Sequence, residues 1–249
     1  MIDPSGYVPA VVRASAELLR DSGRYLFVSS VSVYSDFSTG PSEESPLAEL
    51  GDGPLDELAS DYSNYGALKA LCEAEVERVF GDRALVVRPG LIAGPHDPTG
   101  RFTYWAHRLA RGGQILAPGP PERPAQFVDV RDLADWMLDA VEAGVVGAYN
   151  ATNEGVAWGE LLADADVTWV SDEFLQEHEV GEWMELPLWI SDPAWAGMNE
   201  ADVSRAVAAG LRFRPLEETL GGALGAPAVE GVGLTPEREA ELLAAWRSR

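Results

Sequence analysis

Residues Asp61–Gly90 read DYSNYGALKALCEAEVERVFGDRALVVRPG, and this stretch decides the fold. Leu68, Leu71, Cys72, Val76, Val79 and Phe80 recur on one helical stripe, and Gly81 ends it. The spacing predicts a helix over Asp61–Phe80. Ala84–Gly90 (ALVVRPG) follows as a continuous apolar run of β-formers, which reads as a strand buried on both faces. Upstream, Arg24–Ser30 (RYLFVSS) is a second such strand. It is preceded by a helix over Pro9–Asp21, with Val11, Val12, Ser15, Leu18 and Leu19 at helical spacing and Gly23 as the stop. Downstream come a helix over Arg101–Gly113, the extended piece AQFVDV, the helix RDLADWMLDAVEAG and a third strand over Gly147–Asn153. Strand–helix alternation of this kind predicts an α/β fold with a mostly parallel sheet.

Ser35–Ser60 is rich in Ser, Gly, Pro and acids and reads as a surface loop. After Gly155 the texture changes. VTWV is a short strand, and five of the eight Trp fall between Trp158 and Trp195. Large aromatics usually fill cores, so packing is the first reading of these Trp, with a ring-stacking pocket as the second. Helices are expected over Glu200–Ala209, Leu216–Leu224 and Pro236–Trp246, the last with Thr235 as N-cap.

The composition excludes several functions. The chain has 249 residues, is 46% hydrophobic and carries a net charge of −23. That size and composition support a globular core without staples. The charge argues against nucleic acid and anionic lipid as partners, since both require a basic face. No apolar run is long enough to span a membrane, and no signal-peptide pattern opens the sequence, so a cytoplasmic location is expected. A lone Cys72 and the scattered His96, His107 and His178 give no metal set. No Gly-x-Ser-x-Gly turn is present to support hydrolase chemistry.

Seventeen Arg stand against a single Lys, Lys69. Where Arg replaces Lys so widely, the surviving ammonium is a candidate for a task that a planar guanidinium cannot perform. Tyr65 lies four residues before Lys69, so the two share a helix face one turn apart. A free phenol titrates near ~10, and a neighbouring cation lowers that value, which makes Tyr65 a candidate acid/base. A solvated surface Tyr and Lys is the bland alternative. Ser30 and Ser32 follow the Arg24–Ser30 strand, where hydroxyls at the carboxyl end of a parallel strand face the ligand crevice. A Ser-rich turn bonding its own backbone is the alternative there.

The ordered segments SSVSVY, YGALK, VVRPGLIAGP and FVDVRDLA resemble the extended short-chain dehydrogenase/reductase family, the NAD(P)-dependent sugar epimerases, dehydratases and reductases. The resemblance covers roughly residues 2–153. It implies Tyr65 as catalytic acid/base, and Lys69 as the residue that lowers its pKa and holds the nicotinamide ribose. It further implies Ser30 as the substrate-positioning hydroxyl, with Ser32 facing the same pocket. Pro89, Gly90, Leu91 and Ile92 correspond to the loop along the nicotinamide, and Pro4, Ser5 and Gly6 to a turn near the cofactor's ribose. Arg101 is a candidate for an anionic substrate group, against the alternative of a solvated charge at a helix start. NAD or NADP is the implied cofactor, a small molecule the substrate, and a homodimer through the Tyr–Lys helix the implied assembly.

The sequence departs from the family in lacking a Gly-x-x-Gly-x-x-Gly turn between a strand and a helix; GGALGA at Gly221 follows a helical segment. The expectation is therefore a partial Rossmann-like parallel sheet lacking its N-terminal βαβ units, with a smaller mixed C-terminal substrate-binding region. Residues 1–90 and 127–153 are assigned to the first and residues 91–126 and 154–249 to the second. Met1-Ile2-Asp3 reads as the tail of a fourth strand, and a start inside a longer reading frame is the expected origin of the departure. A second departure is the short Gly159–Val167 stretch, where only about two helical turns fit. The alternative to an enzyme is a non-catalytic remnant or interaction module.

Overall fold

The protein is described by a computed structural model covering residues 1–249. Its strands are β1 (Ile2–Asp3), β2 (Tyr25–Val28), β3 (Ala84–Pro89), β4 (Leu91–Ala93), β5 (Gln114–Pro118), β6 (Pro124–Ala125), β7 (Phe127–Asp129), β8 (Gly147–Ala151), β9 (Val156–Ala157) and β10 (Asp166–Val170). Its helices are α1 (Pro9–Leu18), α2 (Tyr65–Phe80), α3 (Arg101–Arg111), α4 (Val130–Ala143), α5 (Trp158–Leu161), α6 (Asp172–Glu177), α7 (Ser204–Ala208), α8 (Leu216–Ala223) and α9 (Pro236–Arg247).

The main sheet is all parallel, in the order β1-β2-β3-β8. β2 and β3 are buried along their whole length, as their unbroken apolar runs require. The chain opens on β1–α1–β2, itself a Rossmann-like βαβ unit with parallel strands. The expected lack of N-terminal βαβ units therefore gains no support. Smaller pairs, β5–β10 and β4–β7, both parallel, and β6–β9, antiparallel, lie outside this sheet.

Four apolar clusters fill the interior. The sheet face toward α4 holds 11 buried residues, including Leu26, Val87 and Trp136. The face toward α1 and α2 holds Val12, Phe27, Cys72, Val76 and Phe80. The largest cluster, 23 residues, gathers α3, β5, α5, β10, α6 and α9. Packing is the main task of the Trp-rich segment: Trp158 and Trp189 are buried, while Trp169 and Trp183 pack against the same cluster. Trp195 is half-exposed and stacks on Phe37 at 5.0 Å.

Several expected boundaries shift. α2 begins at Tyr65 and not at Asp61, because Asn64 spends its side chain on the preceding loop. Its Oδ1 accepts from Ala59 N–H, and its Nδ2 donates to Pro54 O and Glu57 O. On α1, Val11 and Leu18 are exposed, and the buried stripe runs through Val12 and Ala16. The helix expected from Glu200 shrinks to α7. The Thr235 cap is present and accepts from Arg238 N–H.

One buried ion pair ties α2 to the sheet. Arg88, next to last in buried β3, donates Nε and Nη2 to Glu73 of α2 at 3.0 and 2.6 Å. Its Nη1 donates to Tyr34 Oη, and Tyr34 donates to Asn150 Oδ1 on β8 at 2.6 Å. Both charges are nearly excluded from water. Removing one partner strands the other in a low dielectric. Glu73→Ala is therefore expected to destabilise the fold by about 3–5 kcal/mol in urea unfolding. A change below about 0.5 kcal/mol, ordinary for a surface site, would contradict this linkage.

Candidate active site

The carboxyl ends of β1 and β2 and the first turns of α2 meet at one place. After β2 the chain enters a 3₁₀ turn, Val31–Val33, capped by Ser30, whose Oγ accepts from Ser32 N–H at 3.1 Å. The Ser30 hydroxyl also donates to Ser32 Oγ at 3.1 Å. α2 approaches this turn so closely that Gly66 has no room for a side chain. A Cβ there would lie 2.0 Å from the Ser32 carbonyl oxygen. Glycine at this position brings Tyr65 down onto the serine turn.

Burial raises the Tyr65 phenol above its ordinary value. The nearby Ser30 hydroxyl opposes that rise, as does the positive charge of Arg101, while Tyr7 adds to it. Among the groups acting on this phenol through charge, Arg101 is the one that lowers its value. The Tyr7 ring lies 6.2 Å from the Tyr65 ring.

Lys69, one turn on, is 2% exposed. Its Nζ donates to Gly6 O and to Val28 O, both at 2.7 Å, joining the loop after β1 to the end of β2. The ammonium also sits 4.2 Å from the Phe27 ring and 5.3 Å from the Tyr7 ring. Desolvation lowers its pKa to about 8, although the charges of Asp3 and Glu73 favour the protonated form. Two of its three protons are committed, which leaves one for a ligand.

The other candidates divide. Gly6 is buried, and Pro4 and Ser5 are exposed beside it, with Ser5 N–H donating to Asp3 Oδ1. Pro89 is the last residue of β3 and is buried, and Gly90 packs against Thr152. Leu91 packs into the large cluster and Ile92 into the sheet cluster, so both side chains serve the core. Arg101, at the start of α3, lies over the Trp183 ring at 5.1 Å. Tyr7 and Gly66 were not singled out by the sequence, and Trp183 only as one of five Trp in residues 158–195. The motif YGALK contains Gly66 without explaining it, and Tyr7 adjoins the Pro4–Gly6 turn.

No cluster of His, Cys, Asp and Glu suited to a metal is present, and no helix is long and apolar enough to cross a membrane. A separate cleft of about 420 Å³, lined by Gly119, Arg123, Trp169, Asp172 and Trp246 among others, shares no residue with this site. Its arginine is already paired with Asp172 at 3.0 and 2.6 Å.

The model of a family described as NAD dependent epimerase/dehydratase matches residues 8–152. No protein of curated function matches the sequence significantly. Among solved structures, the Bordetella bronchiseptica enzyme WbmH, in complex with NAD+, superposes with a TM-score of 0.54 and 24% identity, over 87% of this chain and 65% of that one. UDP-glucuronic acid 4-epimerase from Bacillus cereus, in complex with NAD, gives 0.52 and 15%, over 85% and 64%. dTDP-4-dehydrorhamnose reductase from Bacillus anthracis, in complex with NADP, gives 0.55 and 18%, over 84% and 68%. The chain spans 64–68% of the length of these three, and at such identities the likeness concerns the fold.

The close approach at Gly66 is testable. Gly66→Ala is expected to lower stability by about 1–3 kcal/mol, as overpacking does, in thermal or urea unfolding. Gly221→Ala, where a Cβ meets nothing within 4 Å, serves as the control and is expected to leave stability unchanged or raise it. Equal behaviour of the two variants would contradict the packing described.

Proposed function

Because the chain belongs to the NAD-dependent epimerase/dehydratase family, we propose that it oxidises a hydroxyl, or reduces a carbonyl, of a sugar-like or small polar substrate, with Tyr65 moving the proton. The observation that carries this reading is the convergence of Tyr65, Ser30 and Lys69 where β1 and β2 end, which is where α/β sheets bind ligands.

In the oxidative direction the Tyr65 phenolate takes the proton from the substrate oxygen, while the carbon-bound hydrogen leaves with its electron pair. In the reductive direction the phenol returns the proton to the nascent alkoxide. Ser30, whose Oγ accepts from Ser32 N–H, turns its hydroxyl proton from Ser32 Oγ to the substrate oxygen in this reading and stabilises charge that develops there. Lys69 fixes the Gly6 and Val28 carbonyls and keeps a positive charge beneath the site. A bound nicotinamide supplies the acceptor or donor of the hydride.

The residues present fit the nicotinamide-ribose end of such a cofactor. Lys69 retains one uncommitted proton, and Pro4, Ser5 and Gly6 after β1 and Pro89, Gly90, Leu91 and Ile92 at the β3–β4 junction lie at the carboxyl ends of parallel strands of one sheet. The sequence offers no Gly-x-x-Gly-x-x-Gly turn for the pyrophosphate end. NAD and NADP remain equal candidates. Residues 1–90 and 127–153 are proposed to form the cofactor side, and residues 91–126 and 154–249 the substrate side. In support, all but Phe127 of the 23 residues in the largest cluster come from the second set.

The test is titration of the full chain with NAD and with NADP, followed by turnover of a panel of sugars and small hydroxy compounds. Tyr65→Phe is expected to lower kcat at least about a hundredfold, the lower range for general acid/base catalysis, while cofactor affinity stays within twofold, roughly. No saturable binding of either dinucleotide up to millimolar concentration would overturn the enzymatic reading in favour of a non-catalytic module.

A further inference from the structure

Of the seventeen arginines, sixteen donate from the side chain to a carboxylate or carbonyl within the chain. Arg101 is the exception. Its guanidinium has no hydrogen-bond or ion-pair partner, and its Nε is buried without an acceptor. An unpartnered buried donor is costly, and this one belongs to a half-buried guanidinium that no side chain or carbonyl bonds.

The surroundings define what would satisfy it. The guanidinium lies over the Trp183 ring at 5.1 Å. Trp183 holds a left-handed backbone, φ 64°, pinned by its N–H bond to Trp189 O at 3.0 Å. A bulky residue in that region is strained, and here the strain accompanies an indole placed against the cation. Burial pushes the Arg101 guanidinium below its ordinary value. The charged or titratable groups within reach of it are Asp97, Tyr65 and Tyr62. Asp97 is itself occupied, accepting from Thr99 and Thr103, so it bears on Arg101 through charge without bonding it.

We propose that Arg101, backed by Trp183, receives a carboxylate of the substrate beside the carbon whose oxygen Tyr65 serves. This rests on the acid/base reading of Tyr65 above and adds a substrate class: a hydroxy acid or its oxo form, such as a sugar acid. The planar fork of a guanidinium matches a carboxylate in two parallel hydrogen bonds. With Asp97 already acting on the one cation, the site has at most a single positive charge to offer, which favours a monoanionic carboxylate over a dianionic phosphate. Arg101 and Tyr65 act on each other through charge, so the proposal seats the anion on the Tyr65 side of the substrate.

The probes are D-glucuronate, its neutral methyl ester and inorganic phosphate, titrated calorimetrically into the full chain without turnover. Wild type is expected to bind the acid at least about tenfold more tightly than the ester, the weight of one charge-assisted contact. Arg101→Met is expected to erase that difference, and Arg101→Lys to retain part of it. Equal concentrations of phosphate are expected not to displace the acid. No binding of the acid, equal affinity for acid and ester, a preference surviving in Arg101→Met, or displacement by phosphate would each overturn the proposal. Tyr65→Phe is expected to keep the acid preference, so loss of the acid/base reading and loss of this subsite give different results.

Discussion

A single ammonium group, buried between two strand ends, organises the site. Lys69 binds the carbonyls of Gly6 and Val28 at 2.7 Å each and so fastens the loop after β1 to the end of β2. A guanidinium could not replace it, because a compact point charge can turn its protons to two converging carbonyls, whereas a planar fork presents them in fixed directions. Once Lys69 is seated, helical geometry places Tyr65 one turn earlier on the same face. Gly66 then lets that turn descend onto Ser32. One turn further along, Glu73 closes on Arg88 of β3. The face Tyr65–Lys69–Glu73 is thus held at its middle and lower end by buried charges, and its upper end is left to a ligand.

The distribution of charge over the molecule follows from the same economy. Acidic residues outnumber basic ones 41 to 18, and most of the surplus faces solvent. The buried cations are few and specific. Arg88 pairs with Glu73, and Arg108 pairs with Glu239. Lys69 is met by carbonyl dipoles, and the half-buried Arg101 by the Trp183 ring and, through charge, by Asp97. Paired charges fix the fold; Lys69 and Arg101 are the two that no carboxylate bonds.

Much of this was legible in the sequence. The buried runs RYLFVSS and ALVVRPG can only be central strands, and the helices between them enforce parallel pairing. Lys69 announced itself by being the only lysine. What the sequence hid lies in tertiary contacts. The start of α2 depends on Asn64 turning back to Pro54 and Glu57, which no local propensity encodes. β5 escaped notice because QILAP is short, ends in proline and pairs only with β10, far along the chain. Leu18 fits a helical stripe by spacing yet faces solvent, since α1 packs through Val12 and Ala16. The sequence offered Arg101 for an anionic substrate group against the alternative of a solvated helix-start charge, and its lack of a partner becomes visible only when the other sixteen arginines are traced.

The central claim is that Lys69 is buried as a strained cation at the heart of the site, and the composition makes it directly measurable. With one lysine in the chain, ¹³Cε-labelled lysine yields a single resonance that reports Lys69 alone. A midpoint at about 8 is the predicted result. Because the unfolded chain holds that proton to higher pH, Lys69's contribution to stability should rise from pH about 8 toward about 10.4, the ordinary lysine value. A midpoint at that ordinary value would show an amine bathed in water and would contradict the arrangement from which the proposed chemistry follows.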